Sequence, residues 1–416
     1  MRLIKKPVTG MKDILPQEME IRDYVIQLIK DTYKGYGFVS METPCIEHIT
    51  NLCSKQGGDN EKLIFKILKR GEKLKIEEAQ TEDDVVDGGL RYDLTVPLAR
   101  YYSNYMNELP SPFKALQIGS VWRADRPQRG RYRQFMQCDI DVLGDASYYS
   151  EVELILATTT LLGKLGFTGF TVNYNDRKLL KAIAEYAGFK EEDHDQVFIV
   201  LDKLDKIGAE KVREELQEIG YEEDNISRFM DLFQTISKDI QGIYHCKEVL
   251  AGILPEETST SLAMIYTLVE ASKECDFNLV FNPTLVRGQS YYTGTIFEID
   301  MEGMSGSVAG GGRYDKMIGR FTGQETAAVG FSIGFERIVM LLLESGYQVP
   351  THREKIAILL EKNILETQLV EAFSEAKTLR DAGNVVHITT MKKNKKFQKE
   401  QLMEQGFIEI REYFRG

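Results

Sequence analysis

Between Arg123 and Arg133 the chain places five arginines on one loop: Arg123, Arg126, Arg129, Arg131 and Arg133. The loop also carries Pro127 and Gly130 and runs into an aromatic residue, Phe135. Guanidinium groups stay charged and grip phosphate oxygens in pairs, and an aromatic ring can stack on a base, so the stretch suits a nucleotide. Taken alone, it reads first as a solvated basic hairpin. No Gly-x4-Gly-Lys-Ser/Thr loop and no Gly-x-Gly-x-x-Gly fingerprint after a strand occurs elsewhere, so any nucleotide phosphates fall to arginines. A second basic stretch, five lysines between Lys392 and Lys399, reads as a solvated helix face before it reads as a contact to a polyanion backbone. Cys45, His48 and Cys53 form a Cys-x2-His-x4-Cys cluster that lacks a fourth ligand, so they read as packing residues rather than a metal site.

The elements that must hold this loop follow from hydrophobic spacing. Ile21, Tyr24, Val25, Leu28 and Ile29 recur at a helical period, which predicts an amphipathic helix over 18–35 that stops at Gly35. From Tyr36 to Asp145, short β-rich runs at 63–68, 115–118 and 135–143 are separated by charged loops, as in an antiparallel sheet. Ser150-x-x-Glu153 reads as a capping box that opens a helix running to Gly166, and 167–174 alternates like a strand. The stretch 176–275 is charged, helix-rich and poor in β-branched clusters, so it reads as a helical insertion. Strand signals return at 277–281, 291–299 and 330–334, the last feeding a helix over 335–344. Beyond Pro350, strand and helix alternate to give three strands and two helices, the pattern of a small α/β domain. The expected fold class is α+β, with a sheet domain split into 1–174 and 276–347, an insertion over 175–275, and a terminal domain over 351–416.

Bulk properties narrow the function classes. A chain of 416 residues, 43% hydrophobic and 28% charged, is an ordinary globular protein of several domains. Its net charge of −12 excludes a generic nucleic-acid coat, so any contact with RNA must be local. Five cysteines without a Cys-x-x-Cys pair indicate neither a disulfide framework nor a zinc ribbon. No apolar run of about 18 residues occurs and the opening residues are quickly polar, so no membrane span or secretory signal is expected and the location is cytoplasmic.

The arginine loop resembles motif 2 of the class II aminoacyl-tRNA synthetases, and Arg126-Pro127-Gln128-Arg129 followed by 130–135 has the form of the histidyl enzymes. The likeness spans roughly 1–345, in order: Gly10 to Pro16 as an N-terminal signature, Thr43-Pro44 in motif 1, and Arg91 to Pro97 as an amino-acid-binding loop. Leu285 to Gly294 resembles a histidine-specific motif, Gly310 to Asp315 the wall strand of the pocket, and Gly330 to Arg337 motif 3. The resemblance implies a class II antiparallel sheet flanked by helices, activation of histidine by ATP, and transfer to tRNA(His). It also implies Mg2+ on the β- and γ-phosphates and a homodimer built through motif 1.

Residue by residue, the resemblance puts Arg123 and Arg287 beside the α-phosphate, Arg337 at the γ-phosphate, Arg131 at the outer phosphates and Phe135 on adenine. It puts Asp93, Leu94, Thr95 and Gln137 at the amino end of histidine, and Asp141, Tyr291 and Tyr292 at the imidazole. Arg126 and Gln128 fall where the family reads the acceptor end of the tRNA. Asp125 and Asp141 are shorter than the usual glutamates, Met136 replaces a frequent histidine, and Gln289-Ser290 stands where Leu-Asp is common. The terminal domain is shorter than the family's anticodon-binding domain, so anticodon recognition is expected to be reduced or absent. A rival reading is the non-catalytic paralogue, the regulatory subunit of ATP phosphoribosyltransferase, which keeps a histidine pocket but typically has degenerate motifs 2 and 3. This chain keeps Arg123, 126–135, Arg287 and Glu336-Arg337. A class II ligase for another amino acid is a third reading, disfavoured by Arg287 and by Tyr291 to Gly294.

Overall fold

In the computed structural model, which describes residues 3–53, 61–286, 291–304, 306–350 and 353–415, Pro16 opens a long helix. This helix, α1 (Pro16–Gly35), starts with a proline in its first turn, where a missing N–H has no intrahelical partner to lose. Its buried side is Ile21, Val25, Ile29, Thr32 and Tyr33, the helical stripe that the spacing predicts.

α1 belongs to a unit comprising Met1–Tyr347, built on an eight-stranded sheet. In chain order its strands are β1 (Val39–Ser40), β2 (Phe113–Trp122), β3 (Gln134–Leu143) and β4 (Phe170–Asp176). They are followed by β5 (Phe277–Phe281), β6 (Thr295–Asp300), β7 (Ala309–Arg313) and β8 (Ala328–Gly334). The spatial order is β1-β2-β3-β8-β7-β6-β4-β5, antiparallel throughout except at the two edges, where β1 pairs with β2 and β4 with β5 in parallel. A small sheet of Ile46–His48, Lys66–Leu68 and Val86–Leu90 falls between β1 and β2 in the chain. Between β4 and β5 the chain is helical, from Arg177–Ala187 to Glu256–Ser272. No described helix is long and apolar enough to cross a membrane.

Three local expectations need correction. The helix α3 (Tyr149–Lys164) follows Tyr148 without a side-chain cap, so Ser150 is inside its first turn and not at its cap. Asp145 gathers the turn instead: it accepts from the Ser147 amide at 2.9 Å and from the Ser150 hydroxyl at 2.7 Å, while Glu153 pairs with Lys114. The predicted strand over 291–299 begins only at Thr295, with Tyr291 and Tyr292 in the turn before it. And the β-rich stretch 36–145 contains a helix, α2 (Thr95–Tyr105), where the sequence predicts only strands and charged loops. Proline is tolerated in a first turn, and the Asp93 Oδ1 supplies the missing cap by accepting from the Val96 amide at 3.1 Å.

The second unit, Gln348–Gly416, has the expected three strands and two helices. Lys355–Leu360 is the central strand, flanked in parallel by Val385–Thr390 and Glu409–Tyr413. Alternation along it sends Ile358 and Leu360 to one face, against Ala372 and Ala376 of the helix Glu366–Asp381. It sends Ala357 and Leu359 to the other face, against Leu402 of the helix Lys395–Glu404. One helix per face is what a buried parallel sheet needs.

Candidate active site

Alternation along β3 decides which side chains meet. Cys138, Ile140 and Val142 are fully buried on one face of the sheet, while Phe135, Gln137, Asp139 and Asp141 point to the other. Register extends that second face across β8 and β7, because Asp141 pairs with Gly330, Asp139 with Ser332 and Gln137 with Gly334, and then Ser332 with Gly310 and Gly330 with Gly312. The four glycines leave bare backbone beneath a cavity of roughly 330 Å³, within the usual range for a small-molecule site.

At one end of the cavity, Asp93 is buried between strand and helix, and its second oxygen, Oδ2, has no hydrogen-bond partner among the described residues. Burial raises its carboxyl above the ordinary range, offset by the Val96 amide and the nearby Arg123 charge. Thr95 lines the same end. Gln137 donates its amide Nε2 to the Ser332 Oγ at 3.1 Å, and its carbonyl Oε1 is buried without a partner. Leu94 is not brought to the cavity: its side chain is in the core and its carbonyl accepts from Gln117.

Deeper along β3, the Asp141 Oδ1 accepts from the Tyr314 hydroxyl at 2.6 Å, and Oδ2 is buried without a partner. Burial pushes its carboxyl up to about 7, against the Tyr314 hydrogen bond and assisted by the negative Asp93. Tyr291 stands edge-on to Tyr314, with ring centroids 6.2 Å apart, and 4.7 Å from Tyr292. Tyr314 and Asp139 are site residues that the sequence reading missed. Tyr314 was inside the quoted Gly310 to Asp315 motif, and Asp139 follows from the two-residue alternation between Gln137 and Asp141. Arg313, from the same motif, is structural: it is buried in a two-pronged pair with Glu151, at 2.7 Å on each prong.

Cationic side chains also line the cavity. The Arg123 Nε donates to the Tyr92 carbonyl at 2.9 Å and its guanidinium lies 5.2 Å from the Phe135 ring centroid, a cation–π distance. Arg131 lines the rim, 3.7 Å from Asp125. Arg337 also lines the cavity, and donates to the Ser307 carbonyl. It is presented by the helix α4 (Phe335–Glu344), whose Glu336 accepts both prongs of Arg22 from α1, at 2.6 and 2.9 Å, and the Met136 amide at 3.1 Å. Glu336 therefore locks the arginine's platform. Arg126 and Gln128 are exposed on the loop and do not line the cavity. Arg287 lies outside the described residues. Among the described residues no His, Cys, Asp or Glu cluster is arranged to hold a metal ion.

Gly330 tests whether the bare floor matters. A Cβ there would sit 1.9 Å from the Asp141 Oδ1, so Gly330→Ala must displace the carboxylate from Tyr314. With histidine as the ligand that the sequence resemblance implies, the expected result is a folded protein whose affinity for it falls at least about tenfold, from loss of one charged hydrogen bond. Gly311→Ala should behave differently, because its Cβ would sit 2.0 Å from the Gly330 carbonyl oxygen and the strands themselves would have to part. Titration calorimetry with histidine and a thermal melt separate the two, and equal affinity in Gly330→Ala and the parent would sink the idea.

An antiparallel sheet with an arginine hairpin loop on one strand pair, and a strand that turns directly into the arginine-presenting helix α4, defines a class II aminoacyl-tRNA synthetase core. The histidyl-tRNA synthetase family model matches residues 10–338. A histidine–tRNA ligase from Leifsonia xyli subsp. xyli is 45% identical over 345 residues, covering 81% of this chain and 80% of that one. The crystal structure of histidyl-tRNA synthetase from Nostoc sp. PCC 7120 aligns with a TM-score of 0.81 at 26% identity, covering 98% of this chain and 90% of that one. A Bacillus halodurans structure described as an ATP phosphoribosyltransferase regulatory subunit/histidyl-tRNA synthetase aligns with a TM-score of 0.80. At 19% identity, over 100% of this chain and 99% of that one, it shares the fold alone. The chain belongs to the histidyl-tRNA synthetase family.

Proposed function

We propose that this cavity carries out histidine activation, with its acidic end holding the amino acid and its arginine end holding ATP. The chain is a ligase of the aminoacyl-tRNA synthetase type, activating histidine with ATP and charging tRNA(His). The observation that carries the assignment of residues is the set of buried acceptors without partners, the Asp93 Oδ2, Gln137 Oε1 and Asp141 Oδ2, in a cavity that Arg123, Arg131 and Arg337 also line. Unpartnered buried oxygens are costly, and a ligand with several N–H donors relieves that cost. Histidine offers an ammonium for Asp93, Thr95 and Gln137, and an imidazole N–H for Asp141. Tyr292 and Tyr291 enclose the ring, and the Tyr314 hydroxyl holds Asp141 in place.

In this reading, the histidine carboxylate oxygen attacks the α-phosphorus of ATP, the bond to the β-phosphate oxygen breaks, and pyrophosphate leaves with its electron pair. Arg123 and Arg287 stabilise charge on the α-phosphate, Arg337 and Arg131 the outer phosphates, and Phe135 supports the adenine. Mg2+ would be held mainly by the β- and γ-phosphate oxygens and by water, where it would neutralise charge that the arginines leave uncovered. A hydroxyl of the terminal tRNA adenosine then attacks the carbonyl carbon of the histidyl-adenylate, the bond from that carbon to the phosphate oxygen breaks, and AMP leaves with the electron pair while the hydroxyl gives up its proton. Arg126 and Gln128, exposed on the hairpin, face the acceptor end. The helical segment 175–275 acts as an insertion domain, the unit from 351 to 416 is a shortened anticodon-binding-like domain with reduced or no anticodon recognition, and the working form is a homodimer in the cytoplasm.

The test is ATP–pyrophosphate exchange with each amino acid in turn, using the chain and its Arg287→Ala variant. Exchange with histidine alone, abolished by the variant, is the expected outcome. Saturable histidine binding without exchange would instead assign the chain a regulatory role.

A further inference from the structure

A glutamine amide can offer either its oxygen or its nitrogen to a ligand, and the neighbours at its other end decide which. At Gln137 that neighbour is Ser332, on the adjacent strand, whose Oγ accepts from the Gln137 Nε2 at 3.1 Å. The Ser332 hydroxyl has one proton, and it goes to the Asp139 Oδ1. Asp139 is buried, and it pairs in register with Ser332. With Asp139 ionised, the three groups form a directional chain, Gln137 to Ser332 to Asp139, in which a carboxylate that can only accept fixes the hydroxyl proton, and the hydroxyl's lone pair fixes the amide. The far end of that chain is the Gln137 Oε1, buried and without a partner.

We propose that Ser332 and Asp139 are positioning residues that orient the Gln137 amide so that its carbonyl oxygen, not its nitrogen, meets the α-ammonium of the amino acid. The proposal rests on the reading of this cavity as a histidine site. Reversal of the amide would place an N–H against an ammonium, a repulsive pairing in place of an attractive one. The approaching ammonium also favours the ionised form of Asp139, which the relay requires and which burial and Asp141 oppose in its absence. Neither Ser332 nor Asp139 need touch the substrate for this to work, so the effect should follow the ammonium alone.

The experiment compares equilibrium binding of histidine with that of imidazole-4-propionate, which keeps the ring and carboxylate and lacks the α-amino group. In Ser332→Ala the amide loses its anchor, and histidine should bind about tenfold more weakly, the scale of one misdirected hydrogen bond, while imidazole-4-propionate changes less than about twofold. Ser332→Thr keeps the hydroxyl and should restore histidine binding. Asp139→Asn can donate to Ser332, which turns the hydroxyl proton toward Gln137, and should reproduce the selective loss. Equal weakening of both ligands in Ser332→Ala, or no weakening of histidine, overturns the relay. Failure of the parent protein to prefer histidine over imidazole-4-propionate would overturn the histidine-site reading, and the relay with it.

Discussion

Arg123→Ala is expected to slow histidine-dependent ATP–pyrophosphate exchange by about 10²–10³-fold, the usual cost of one preorganised donor at a developing charge. The geometry says why the effect should be large. One nitrogen of the guanidinium is committed to the Tyr92 carbonyl, and the group lies over Phe135, so its remaining N–H groups have a fixed direction into the cavity. A donor fixed before the reaction costs no reorganisation when charge develops on phosphorus. Arg123→Lys should recover little, because an ammonium on a flexible stem lacks the planar fork and cannot keep the Tyr92 contact while reaching phosphate. Arg123 also lowers the carboxyl of Asp93. Without that charge the Asp93 carboxyl rises further, so the variant should bind histidine more weakly than the parent, with a difference that narrows as pH rises. The loss in kcat should not recover. Steady-state exchange at two pH values, beside a thermal melt to establish folding, measures both, and a kcat loss below about threefold would remove Arg123 from the chemistry.

The hairpin that carries Arg123 was legible in the sequence because two physical signals coincide there: alternation over 135–143 and a run of arginines bounded by Pro127 and Gly130. The long helix α1 and the terminal α/β unit were legible for the same reason, periodicity over many residues. What could not be read locally were partnerships across strands. The pairing of Asp139 with Ser332, 193 positions apart, is a matter of register between β3 and β8. The bond from Tyr314 to Asp141 joins the end of a glycine-rich strand to a residue 173 positions earlier. Helix α2, with Pro97 tolerated in its first turn, lies within a stretch whose β-rich runs predict strands and loops alone. Glu336 has the type and setting of a catalytic carboxylate, and only its two bonds to Arg22, 314 positions away, identify it as structural.

Asp141→Asn should strengthen the fold in alkaline buffer while weakening the site. The Asp141 carboxyl is pushed up to about 7 by burial, with Asp93 adding repulsion, whereas an unfolded aspartate titrates near 3.9. Between those values the native state holds the proton more tightly than the unfolded chain, so stability declines as pH rises through this window. Above about pH 7 the buried carboxylate is ionised and the full cost is present. Asparagine keeps an oxygen to accept from Tyr314 and carries no charge, so at pH 8 the variant should gain up to about 4 kcal/mol of stability, the span from about 3.9 to about 7 at about 1.36 kcal/mol per pH unit, with the gain vanishing below about pH 4. Its remaining amide N–H would oppose the imidazole N–H of histidine, and the histidine KM should rise about 10²-fold, the cost of an unmade charged hydrogen bond. The parent's affinity should also improve as pH rises through 7, and the variant should lack that limb. Histidine's own imidazole titrates nearby, but it does so identically for both proteins, so the difference between their pH profiles reports Asp141. Chemical denaturation at pH 4 and pH 8, with histidine KM at each pH where activity permits, decides the matter. A variant that is less stable than the parent at pH 8, or that binds histidine equally well, would mean that this carboxylate is paid for by a structural role and not by the substrate.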